Sequence, residues 1–122
     1  MTKFIGLIYL DSFLWKSLSA QARQHLLEEW VAFEEELQHS GQRLANAPQP
    51  FPFTKDSVTV RYFQGQAIVS SDDILIVPNQ MSGVVFVEAR DMNHAISLLS
   101  HHPGIKQGAI EIRTLDHELF VD

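Results

Sequence analysis

The sequence predicts an α+β sandwich, a mainly antiparallel sheet with two helices on one face. Two apolar runs carry that expectation. Phe4-Ile5-Gly6-Leu7-Ile8-Tyr9-Leu10 and Val84-Val85-Phe86-Val87 lack alternation and read as strands buried on both faces. Each is followed by a helical pattern, and a hairpin signature centred on Gln64-Gly65 lies between the two units. The element order is β, long α, β-β, β, α, β, in a single domain over residues 1–122.

Composition narrows the function classes. A chain of this length buries roughly two-thirds of its unfolded surface, enough for a core without covalent staples. Hydrophobic residues make up 45% and charged residues 20%, which excludes general disorder. The net charge of −6, with Lys and Arg scattered singly, leaves no footprint for a phosphate backbone or an anionic membrane. The chain holds no cysteine, so disulfide, thiolate and Cys-zinc chemistry are absent, and a reducing cytoplasm is the expected setting. The first residues read as a strand rather than a signal peptide. No apolar run approaches the ~20 residues of a membrane span.

The first strand ends at Asp11-Ser12, and Phe13-Leu14-Trp15-Lys16 reads as a short apolar connector. Ser19 then caps a long helix, since its hydroxyl can accept from an orphan N–H. Ala22, Leu26, Trp30, Phe33 and Leu37 form one helical face, widened by Leu27 and Val31. Glu28, Glu29, Glu34, Glu35 and Glu36 take the remainder and read as a solvated face rather than a partner site. Gly41 is the expected left-handed terminator.

The prolines of Ala47-Pro48-Gln49-Pro50-Phe51-Pro52-Phe53 remove ladder donors, so this is an extended arm and not a central strand. Phe51 and Phe53 either pack on their own core, lid a pocket or clasp a neighbour. Val58 to Phe63 and Gln66 to Ser70 are the hairpin strands. Asp72 to Ser82 reads as a loop. After the Val84–Val87 strand, Asp91 caps a second helix with Met92, Ala95, Ile96 and Leu99 as its stripe. His101-His102-Pro103-Gly104 stops it. Ala109 to Thr114 alternates and should bury one face. The closing Leu119-Phe120-Val121 needs a partner surface.

Two helices cover one face of the sheet, yet the central strands are apolar on both. An uncovered face of that size marks an interface, and a homodimer packed sheet to sheet is expected.

Several strings resemble the YCII-related family, in particular its branch named for an Asp-Gly-Pro-Phe motif. They are Leu7-Ile8-Tyr9, Leu18-Ser19 with Arg23, Phe33 with Glu36-Leu37 and Ser40-Gly41, Ser82 to Ala89, Ala95, and Pro103-Gly104 with Ile110 to Arg113. The resemblance spans nearly the whole chain. It implies a ferredoxin-like domain that dimerises through its sheet, a dimeric α+β barrel. Counting back from Gly83, the family's motif falls on Ser71-Asp72-Asp73-Ile74, and the charges that follow it fall on Ile76 to Asn79. Some relatives carry a helix His and a nearby Asp proposed to act as a dyad. Those positions fall on Trp30 and His39, so that dyad is absent and transfer of catalysis is weakened.

The catalytic residues stay unknown. Asp72 and Asp73 are candidates beside a strand end, but adjacent carboxylates diverge on an extended chain and need a partner such as Arg61, Arg113 or a histidine. Glu88, at the end of a buried strand, must be paired or exposed. No cofactor is expected. No metal is expected either, because His101 and His102 diverge and no His pair has ligand spacing on a helix. Tyr9, Trp15, Trp30 and Phe33 either line an apolar pocket between the long helix and the sheet or pack as plain core. Tyr9, Trp30 and Phe33, with Asn46, are the candidate ligand-binding residues. Three functions remain open: a dimeric domain binding a small apolar or aromatic metabolite, an enzyme of this fold (lyase, hydrolase or cofactor-free monooxygenase), or a dimer module without a ligand.

Overall fold

The computed structural model describes residues 1–42, 50–52, 58–70 and 79–115. The elements run β1 (Thr2–Asp11), α1 (Ser12–Ser17), α2 (Ala20–His39), β2 (Thr59–Phe63), β3 (Gln66–Ser70), β4 (Asn79–Ala89), α3 (Met92–Leu99), a 3-10 turn (Pro103–Gln107) and β5 (Gly108–Thr114).

β1 is the central strand, antiparallel to β4 on one side and to β5 on the other. Its non-alternating apolar run suits that place, because both faces and both edges are occupied or half-covered. Phe4, Ile8 and Leu10 are buried inward, with Val85, Val87 and Ala89 of β4. The alternate residues Ile5, Leu7, Val84 and Phe86 are half-buried on the other face. Ile110 and Ile112 of β5 close the inward layer. α2 and α3 lie on this inward side: Leu99 approaches Gly6, and Trp30 lies against Gly83 and Gly104. The α+β class and the antiparallel sheet are as expected.

The far edge of β4 is not a ribbon end. Glu88 N–H donates to the Gln42 carbonyl at 2.8 Å, and Phe51 N–H donates to the Ser82 carbonyl at 2.8 Å. The described part of the proline arm therefore runs beside β4, which fits an extended segment with few donors. Phe51 is half-buried there, and Phe53 lies outside the described residues.

Local signals explain the helix ends. Ser19 Oγ accepts from Ala22 N–H, Asp91 Oδ1 accepts from His94 N–H, and Gly41 closes α2 at φ +79. Arg23 ties α1 to α2. Its Nε donates to the Trp15 carbonyl, its Nη2 donates to the Lys16 carbonyl, and its guanidinium lies 5.5 Å from the Trp15 ring centre. A cation at the last carbonyls of a helix is favourable on charge and hydrogen bonding together.

Four expectations are corrected. Phe13 to Lys16 is a helix, because the Asp11 carboxylate accepts from the N–H groups of Phe13 and Leu14 and so caps it. The helices therefore number three among the described residues. Residues 79–82, read as loop, begin β4. Ser82 is an extra residue against β1, since Ile8 faces Gly83 and Tyr9 faces Met81. That bulge hides the strand pattern. Met92 and Ile96 stay exposed, while Ala95, Leu98 and Leu99 pack inward. Lastly, Glu34 is not solvated; only 4% of its surface reaches solvent.

Candidate functional site

The residues named from sequence scatter. Trp30 is 1% exposed and occupies the space assigned to a pocket. A Cβ on Gly83 would lie inside the indole, and a Cβ on Gly104 would meet it at 3.3 Å, so these two glycines make the slot that the ring fills. Phe33 is half-buried beside it. Tyr9 alternates with Ile8 and Leu10 and faces the other side of the sheet, so it does not join Trp30. Glu88 is half-buried on that other side, directly opposite Lys3 of β1. Arg113 is not its partner. Arg113 Nε donates to Glu111 Oε1 at 3.0 Å, and that carboxylate holds the guanidinium above its ordinary value. Asn46, Asp72 and Asp73 lie outside the described residues.

What the fold does bring together is Glu34 and His102. One turn of α2 presents Trp30, Phe33 and Glu34, at i, i+3 and i+4, to a single imidazole. The His102 ring stands edge-on to Trp30 at 4.8 Å and 84°, and to Phe33 at 5.2 Å and 71°. Its Nδ1 accepts from Gly104 N–H at 3.0 Å, because His102 is the N-cap of the 3-10 turn. That bond places the proton of a neutral ring on Nε2. Nε2 faces Glu34 Oε1 at 3.5 Å, with the two side chains 0% and 5% exposed.

The separation is within ion-pair reach but outside a good hydrogen bond, and both facing atoms lack any other partner. A buried carboxylate and imidazole left this far apart are costly to desolvate. A native interior holds few such atoms, and each calls for a reason. Chemically the pair is an oriented proton donor and acceptor between aromatic walls.

A groove of about 560 Å3 lies outside it, between the N-terminal half of α2 and the 3-10 turn. Leu18, Ala22, Leu26 and Ile105 give it apolar walls. His25 and Glu29, in contact one turn apart along the helix, share the rim with His101 and Lys106. His102 belongs to the groove's lining although only 1% of its surface is open to solvent. Among the described residues, no group of three His, Cys, Asp or Glu could hold a metal ion. None of the helices there is long and apolar enough to cross a membrane.

Sequence reasoning misses Glu34 and His102 for different reasons. Glu34 stands in a run of exposed glutamates, though it sits four residues after Trp30 and three before Leu37, on the buried stripe itself. That phase is a readable signal. His102 has none, because it meets Glu34 only through packing.

The sequence model of a family described as the YCII-related domain matches residues 10–117. No curated protein matches the chain.

Proposed function

The chain belongs to the YCII-related family, and from that premise we propose that it is a homodimeric domain binding a small, partly aromatic metabolite in the groove between α2 and the 3-10 turn. The observation that carries the reading is His102. Its Nε2 is buried without a hydrogen-bond partner while the residue lines a cavity of ligand size. Trp30 and Phe33 hold the ring edge-on from behind, so an occupant of the groove would meet His102 among apolar side chains rather than the indole itself. The space directly between α2 and the sheet is filled by Trp30, so the ligand belongs beside that helix rather than beneath it.

Dimerisation is supported by the half-buried apolar face of the sheet, where Ile5, Leu7, Tyr9, Val84 and Phe86 turn away from the helices. The cysteine-free composition suits a cytoplasmic dimer.

The test is native mass spectrometry and thermal shift against a metabolite library, with wild type and His102→Gln in parallel. A ligand that stabilises wild type and loses its effect in His102→Gln supports the site. A library without a single stabilising compound, or hits indifferent to His102, removes it.

One observation favours an enzyme as the second reading. Relatives' helix histidine is replaced by Trp30 here, yet an imidazole packs on that same indole from the 3-10 turn, with Glu34 one helical turn further supplying a carboxylate. An oriented His–carboxylate pair suits general acid–base work. Solvent-deuterium exchange into a bound ligand, lost in Glu34→Gln, distinguishes this from simple binding.

A further inference from the structure

The hairpin breaks the usual sorting of side chains. Every residue of β2 is exposed, and so are Gln66 to Val69 of β3. Tyr62 is 78%, Val69 65% and Val60 61% exposed. Val60 faces Val69 and Tyr62 faces Ala67, so one face of the ribbon is wholly apolar. A two-stranded hairpin alone in water is marginal at best. Exposed edges are ordinarily blunted with charge, yet residues 58–70 carry only Arg61.

We propose that the β2–β3 hairpin is a dimerisation arm, whose Val60, Tyr62, Ala67 and Val69 face packs on a second copy of this chain, reciprocally about a two-fold axis. Area supports that occupant. With Val58, which shares that face, the arm leaves roughly 450 Å2 of apolar surface in water, taking ~150–250 Å2 as the burial of a whole aromatic side chain. Two arms give about 900 Å2, which together with the open face of the sheet reaches the area where specific interfaces begin. One charge per arm offers nothing to a nucleic acid or an anionic membrane. The same chain also presents the open face of its sheet, which adds to the surface that one partner would cover. The proposal thus rests on the dimer proposed above and specifies a contact within it.

The full chain tests it by analytical sedimentation at micromolar concentration. Wild type is expected at twice 13.9 kDa. Val60→Lys/Tyr62→Lys is expected to raise the dimer Kd on the order of a hundredfold, with far-UV dichroism and the near-UV tryptophan signal unchanged. Leu7→Lys probes the sheet face separately. If Leu7→Lys dissociates the dimer and the arm variant does not, the arm is overturned and the sheet reading stands. A monomeric wild type overturns both. Because the chain has no cysteine, Tyr62→Cys accepts a single fluorophore. Shielding from an aqueous quencher that appears only on dimerisation supports the arm. Shielding that persists in the monomer assigns the cover to the same chain and overturns it.

Discussion

The α2 face around His102 and the β2–β3 hairpin are opposite violations of one rule. The first buries a carboxylate and an imidazole among Trp30, Phe33 and Leu37. The second leaves valines, a tyrosine and a phenylalanine in water. Removing apolar surface from water drives folding more strongly than any other force, so a chain that breaks the sorting in both directions is not built for monomer stability alone. The polar pair is enclosed by the core, whereas the apolar ribbon is left uncovered by it. Hydrogen bonding separates them as well: Gly104 N–H fixes the imidazole, whereas among the described residues β2 and β3 pair with each other and with no further strand.

Substitutions at the first region should be the costliest. Trp30→Ala is expected to lose about 3–5 kcal/mol in urea unfolding, because the indole fills the slot made by Gly83 and Gly104. A loss below ~1 kcal/mol would mean that the slot collapses readily and that the core there is loose. The polar pair comes next. His102→Leu or Glu34→Leu alone should cost roughly 3 kcal/mol, since each strands the other partner in the interior. The double variant should cost less than either, and can equal wild type. Additive losses in that cycle would show that the two groups do not feel each other at 3.5 Å.

Gly83→Ala is smaller. Its Cβ overlaps the Trp30 ring and should cost about 1–3 kcal/mol, with most of the loss recovered when Trp30→Phe is added. Smallest of all is the hairpin. Val69→Thr, measured below the dimer Kd, should shift unfolding by no more than about 0.5 kcal/mol, because in the monomer the side chain touches water. A larger effect would mean that the ribbon is covered within its own subunit, and the contrast between the two regions would dissolve.

Much of the fold is legible in the sequence because it is local. Ser19, Gly41 and Asp91 act on backbone groups within a turn of themselves, and each ends or starts its helix as its chemistry dictates. The non-alternating run of β1 announces a central strand, and the Gln64-Gly65 pair announces its turn, with both residues at positive φ. Asp11 is equally local, yet the apolar residues that follow it mask its role as the α1 cap. β4 is obscured at its start because Ser82 bulges and shifts the alternation.

The candidate site is legible only by halves. Trp30 and Phe33 lie on the expected helix face, but as filling rather than lining. The phase of Glu34 on the buried stripe is enough to mark it. Nothing near residue 102 says that its ring will reach that carboxylate.

By itself, then, the sequence determined the class, the order of the strands and of the two longer helices, the starts of those helices and the surplus of apolar residues in the strands. These follow from periodicity and from side chains acting on their own backbone. The tertiary structure alone decided that Tyr9 and Trp30 part to opposite faces, that Trp30 closes the expected pocket, and that Glu34 meets His102. Those outcomes depend on register and on contacts across some 68 residues of chain between Glu34 and His102, where local propensity is silent and packing decides.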